Sequence, residues 1–273
     1  MDIQYILLNT VIYGIVALVI ANFFSFGKML NMSIGGFMVM GGYVIYNLIA
    51  HGISVQTIII LIGFIGLFIL INRAIFKYFP HDKQKYHVGV IATLGISIII
   101  ENLTNYIYGP NSINLNIVNF NRQIMLIIFI TMFGLFYYVF KHTLLGATLR
   151  GIEENTKTVK SLGIKTNKIL QILFLIMLIL LIVVAFIILN EANIRASDGI
   201  FYLIKGIGIM ILVGISKKEY MLFGALLYVL MEYLLFIQIG LPISYKETLI
   251  LIVILGVLLF KPEGLFTFSK RKI

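Results

Sequence analysis

No group of side chains in this sequence is spaced for covalent or metal chemistry. The four histidines, His51, His81, His87 and His142, fall near the ends of apolar segments or in the connectors between them. None belongs to an H-E-x-x-H pattern, and no pair of carboxylates is placed for acid and base roles. Cysteine is absent, which removes thiolate ligands, disulfides and cysteine nucleophiles. A G-x-x-x-x-G-K-[ST] phosphate loop is missing too, so the chain does not hydrolyse a nucleotide by that route. The polar residues that remain are of another kind, being isolated groups inside long apolar runs. Glu101 and Asn105 are four residues apart, on one helix face, with Asn102 beside them, and Glu232 interrupts a later run. Asn9, Asn22, Asn31 and Ser33 are suited to hydrogen bonds between helices.

Those runs define the class. Of 273 residues, 60% are apolar and 12% charged, and the mean hydropathy is +1.05, values far from a soluble domain. A membrane-spanning helix needs roughly 20 mostly apolar residues. Nine such segments follow one another, about residues 5–24, 30–49, 55–75, 88–106, 125–140, 169–189, 199–215, 220–239 and 248–260. The expected fold is therefore an all-α polytopic helix bundle of eight or nine spans in a single domain over 1–273. The first segment has no basic residues before it and no small-residue cleavage pattern after it, and is read as a retained span. With Trp absent, Tyr and Phe must supply any interfacial aromatic belt.

Alternating the connectors between two sides sorts the cations. Lys28, Arg73, Lys77, Lys83, Lys85, Lys141, Arg150, Lys157, Lys160, Lys165, Lys168, Lys217, Lys218, Lys261, Lys270, Arg271 and Lys272 share one side, and only Arg122, Arg195, Lys205 and Lys246 fall on the other. The positive-inside rule then predicts a cytoplasmic C-terminus and an external N-terminus. The net charge of +10 follows from topology and needs no nucleic-acid partner; the lipid bilayer is the expected surrounding.

Two stretches stand out. Asn31 to Tyr43 carries Gly35, Gly36, Gly41 and Gly42 within eight residues, a pattern that serves either close helix packing or a helix broken in mid-membrane with backbone groups turned toward a solute. The cytoplasmic connector 141–168 contains Ile152, Val159 and Leu162 among mixed charges, which predicts one short amphipathic helix ended by Gly163. Such a helix rests on anionic headgroups or docks into a groove of a soluble partner.

Taken in order, several blocks resemble the permease subunit of bacterial ABC importers of the branched-chain amino acid type, over nearly the whole chain. They are Leu8-Asn9 with Gly14, then Asn31, Gly35, Gly41 and Tyr43, then Thr93 to Ser97 with Glu101-Asn102-Leu103 and Gly109-Pro110. Leu145-Gly146, Arg150 and Leu162-Gly163-Ile164 follow, and Lys261-Pro262-Glu263-Gly264-Leu265-Phe266 closes the series. The resemblance implies half of a translocation pore in a bacterial cytoplasmic membrane, with no enzyme activity and no cofactor of its own. Its implied partners are two cytoplasmic ATPase subunits, a second homologous permease or a copy of this chain, and an extracytoplasmic substrate-binding protein. It also makes Gly146, Arg150, Glu153, Glu154, Leu162 and Gly163 the expected ATPase-coupling residues; Asn31, Ser33 and Gly35 are the candidate pathway residues, and Glu101 either faces that pathway or is a carboxylate near the end of its span, held by neighbouring helices or facing an aqueous vestibule. The family's His and Glu in the second span are here Ile34 and Gly36, and the glycine-rich turn before the eighth is reduced to residues 213–219. Urea or other amides, or sugars and nucleosides, therefore stand beside amino acids as solutes. A secondary transporter using Glu101 or Glu232 as its ion site is the reading from another class.

Overall fold

The computed structural model describes residues 3–78, 86–115, 122–215, 217–235, 245–261 and 264–266. Among these are ten α-helices: α1 (Ile3–Gly27), α2 (Ser33–His51), α3 (Val55–Tyr78), α4 (Tyr86–Tyr108), α5 (Arg122–His142), α6 (Leu144–Ser161), α7 (Thr166–Glu191), α8 (Gly199–Val213), α9 (Met221–Tyr233) and α10 (Lys246–Phe260). The helices are what lipid dictates, because backbone amides that cannot reach water must be paired within their own segment. Six described stretches are long and apolar enough to span: Tyr5–Gly27, Ser33–His51, Val55–Ile75, His87–Tyr108, Thr166–Glu191 and Ala196–Val213. Helices α9 and α10 are shorter, at 13 and 15 residues. Residues 236–239 of the eighth apolar segment, His81, Lys83, Lys85, Ser216, Pro262, Glu263, Lys270, Arg271 and Lys272 lie outside the described residues.

The chain divides into two compact units, residues 1–22 with 202–273, and residues 23–201. In the second unit α2 is central and packs against α7, α4 and α3. It is one uninterrupted helix whose residues Ser33 to Val44 are all buried, so the glycine-rich stretch is not a break. Its glycines are contact points instead. A methyl group at Gly36 would meet Ser97 Oγ of α4 at 3.0 Å, one at Gly41 would meet Ile182 of α7 at 3.0 Å, and one at Gly42 would meet Ala185 at 3.2 Å. Three neighbours approach one backbone because no side chain stands between them. Phe37 adds an edge-to-face contact with Phe68 of α3, 4.9 Å between centroids.

The connections at the far end of α2 are tied together. Ile113 and Ile194 exchange both backbone hydrogen bonds at 2.9 Å, and the Tyr43 hydroxyl donates to the carbonyl of Asn111 at 3.1 Å.

The first unit is also assembled through glycine. A methyl at Gly14 of α1 would meet Leu222 of α9 at 3.1 Å, and one at Gly206 of α8 would meet Val16 of α1 at 2.8 Å. Beyond α10, Leu265 and Phe266 donate backbone hydrogen bonds to Leu212 and Val213 at the end of α8. Gly264, at φ +94°, passes against the Gly214 backbone.

Candidate functional site

The polar residues at the start of α2 form a knot. Asn31 donates from Nδ2 to Oδ1 of Asn72 on α3 at 3.2 Å, while its own Oδ1 accepts from the Ser33 amide at 3.1 Å and from the Ser33 hydroxyl at 2.6 Å. The Met32 amide donates to Oγ1 of Thr93 on α4 at 3.1 Å. A helix start leaves its first amides without intrahelical acceptors, and here two of them are satisfied by side chains from the turn itself and from α4. The four residues Asn31, Ser33, Asn72 and Thr93 are buried. This knot brings two of the sequence-predicted pathway residues together, in a position where they fasten α2 to α3 and α4. Gly35 contributes backbone: a methyl on Gly199, the first residue of α8, would lie 2.5 Å from the Gly35 carbonyl oxygen. Ile34 is fully buried, and Gly36 is pressed on Ser97 of α4. Glu101 stands apart from the knot, half-buried on α4.

The mixed-charge connector 141–168 folds as α6, with a difference from the single helix predicted. Thr143 caps its start by accepting from the Gly146 amide at 3.2 Å. At Asn155 the backbone leaves helical geometry (φ −153°, ψ 95°), and Asn155 Oδ1 accepts from the Thr158 amide at 3.3 Å. Asn155 thus caps a second, shorter helical piece. The kink folds the two pieces onto each other, because a methyl on Gly151 would meet Val159 at 3.2 Å. Leu149, Ile152 and Val159 are buried on the inner face, whereas Leu144, Leu145 and Leu162 are exposed, as are Arg150 and Glu154; Gly146 is buried and Glu153 intermediate. Gly163 ends the element as predicted, with φ +78° and its amide donating to the Lys160 carbonyl at 3.0 Å. The result is a compact element packed on α5 and α7 that offers leucines and both charge signs outward, a surface suited to a protein groove.

One cluster escaped the sequence reading. Lys205, counted there among the external cations, lies in the middle of α8 with its side chain only 12% exposed, and its Nζ is 3.6 Å from the Glu232 carboxylate of α9, itself 2% exposed. Nζ also donates to the Tyr13 hydroxyl of α1 at 3.1 Å and sits 4.7 Å from the centre of that ring. Tyr228 meets Tyr13 edge-on at 5.9 Å. The signal available in sequence was that Lys205 falls inside the apolar segment 199–215, six residues from its start, where a lone cation needs a partner. Among the described residues no group of three or more His, Asp or Glu side chains could hold a metal ion.

Residues 3–258 match the family model described as branched-chain amino acid transport system / permease component. Curated relatives include the high-affinity branched-chain amino acid transport system permease protein LivH of Salmonella typhimurium, 23% identical over 94% of this chain and 88% of that protein. BraD of Pseudomonas aeruginosa, which carries the same description, is also 23% identical with the same coverage. LivH of Escherichia coli is 22% identical. Among solved structures, PsaBC from Streptococcus pneumoniae in complex with Fab shares the fold at a TM-score of 0.50 and 17% identity, covering 98% of this chain and 92% of that one.

Proposed function

The chain belongs to the branched-chain amino acid transport system permease family, a family of multi-pass transport proteins, and from that premise we propose that it forms half of the translocation pathway of an ATP-driven importer for branched-chain or related amino acids. ATP is hydrolysed by two separate cytoplasmic subunits, a second homologous permease or a copy of this chain completes the pore, and an extracytoplasmic binding protein delivers the solute. The distribution of Lys and Arg supports a bacterial cytoplasmic membrane with the C-terminus inside and the N-terminus outside. The chain acts by changing shape and needs no cofactor.

The observation that carries the coupling role is α6. It is the one described helix that interrupts the series of apolar spans with a mixed-charge sequence, and it stays folded by burying Leu149, Ile152 and Val159 while presenting Arg150, Glu154, Leu145 and Leu162. We assign closure of the ATPase pair to push on this face, with Gly146, Glu153 and Gly163 holding its shape. The motion is passed through α5 and α7, on which α6 packs. Asn31, Ser33 and Gly35 are buried in the described conformation, so their part in the pathway is to line it only once α2 shifts against α3 and α4. Glu101, which is half-buried on α4, meets an aqueous vestibule in this reading.

The test is purification of the tagged chain from its native membrane in mild detergent, with mass spectrometry of what accompanies it, followed by uptake in reconstituted vesicles. Recovery of an ATPase pair and a second permease, with uptake that requires ATP, is the expected result. Recovery of this chain alone, active under an ion gradient without ATP, would overturn the proposal in favour of a secondary transporter.

A further inference from the structure

We propose that the cavity between α3, α6 and α7 is a binding site for one anionic phospholipid, its phosphate held by Arg73 and Lys160 and an acyl chain laid against Phe68 and Phe174. The cavity has a volume of about 440 Å³, within the range of ordinary ligand pockets. Its wall on α3 is made by Phe68, Asn72 and Arg73, and its wall on α7 by Asn167, Gln171 and Phe174. Those positions are four or five apart on α3 and four or three apart on α7, so each set lies along one helix face. The two helices run in opposite senses at this end, and a consistent gradient follows. Arg73 lies five residues beyond Phe68 toward the end of α3, and Asn167 seven residues before Phe174 at the start of α7, distances of roughly 7 and 10 Å along the axes. Polar groups and cations therefore form the rim, and aromatic rings form the floor.

The floor is rigid and apolar. Phe23 stacks on Phe174 with centroids 4.7 Å apart and an interplanar angle of 9°, and meets Phe68 edge-on at 6.4 Å. Lys160 closes the rim from the short second piece of α6. No carboxylate is among the residues that line the cavity, so an amino-acid zwitterion would find amide oxygens but no opposite charge for its ammonium group there. A free phosphate would satisfy the rim and leave the aromatic floor unused. A phosphodiester with a hydrocarbon tail uses both, and basic pockets between spans on the cytoplasmic side suit such headgroups. Placing the lipid in the cytoplasmic leaflet rests on the orientation proposed above; the chemistry of the cavity does not.

Occupancy has a structural consequence. Lys160 belongs to α6, and Asn72 of the wall is the acceptor of Asn31 in the α2 knot. A lipid phosphate bridging Arg73 and Lys160 would hold the coupling element against the helix that anchors α2.

The experiment is native mass spectrometry of the full-length chain, in whatever complex it purifies with, after exchange from nanodiscs of phosphatidylcholine doped with phosphatidylglycerol. The wild type should retain one phosphatidylglycerol per chain. The Arg73→Gln/Lys160→Gln variant should lose that retention by roughly tenfold or more, and the charge-preserving Arg73→Lys/Lys160→Arg variant should keep it. Both cations are exposed, and unchanged thermal unfolding of the glutamine variant would show that the loss is not a folding defect. Equal retention in the wild type and the glutamine variant would overturn the proposal. So would binding of inorganic phosphate, sensitive to the same variant, with no lipid retained. Retention is read without any uptake measurement, so failure of the lipid site leaves the importer reading standing, and absence of ATPase partners leaves the lipid result standing.

Discussion

Replacing Lys205 by methionine takes the ammonium group away from the buried Glu232 carboxylate of the first unit, and the geometry sets what that costs. At the observed Nζ to carboxylate separation of 3.6 Å, the attraction is about 4–5 kcal/mol for an effective dielectric constant of about 20. Desolvation cancels part of this, and breaking a buried pair by removing one partner costs about 3–5 kcal/mol. The two single variants should differ. Glu232 is 2% exposed and Lys205 12%, and a lysine stem lets its ammonium reach a wetter position. Lys205→Met is therefore expected to cost about 3 kcal/mol and Glu232→Gln about half of that. The double variant Lys205→Met/Glu232→Leu removes both charges and should return to within about 1 kcal/mol of the wild type. The assay is reversible denaturation of the purified chain in mixed micelles, followed by far-ultraviolet circular dichroism and analysed as a double-mutant cycle. Two single-variant costs that simply add in the double variant would refute the pairing as an organising contact. Equal costs would refute the burial asymmetry.

Three further outcomes are expected. Gly163→Ala puts a side chain at φ +78°, a strain of about 1 kcal/mol, and Gly163→Pro cannot adopt that angle at all; both should insert normally in membrane fractionation but lower uptake per ATP hydrolysed, as should Glu154→Arg. Asn155→Ala removes the cap of the second piece of α6, a loss of about 1 kcal/mol, visible as weaker stimulation of ATPase turnover by solute-loaded binding protein. Gly36→Leu must displace Ser97 and should cost about 1–3 kcal/mol, seen as reduced detergent-resistant yield, whereas Gly63→Leu, where nothing lies within 4 Å, should leave the yield unchanged.

Six of the nine expected spans recur as helices long and apolar enough to cross, because lipid admits few backbone solutions and run length reports them directly. The end of α6 at Gly163 was readable for a similar reason, since a residue with no Cβ is favoured where φ turns positive. What could not be read depends on which helices face each other. The four glycines of α2 fit a broken helix as well as a packed one until α3, α4 and α7 are known to press on them. The hydrogen bond of Asn31 to Asn72, 41 residues away, has no trace in local spacing. Lys205 was assigned by alternating connectors, a procedure that sees flanks and not the interior of a span, so its pairing with Glu232 stayed hidden. The kink at Asn155 had a local signal, an Asn suited to capping, without the fold-back contact of Gly151 and Val159 that gives it meaning.

The burial of α2 bears on how the chain is made. Of the six long apolar stretches, Ser33–His51 has the lowest mean hydropathy, because the glycines and polar residues that let its neighbours approach contribute little to partitioning from the translocon into lipid. Thr166–Glu191 has the highest and is synthesised more than a hundred residues later. Helix α2 consequently enters the bilayer before α7, the helix it leans on most, exists. Until α7 emerges, the partners that can hold α2 in place are α3 and α4, which also pack on it.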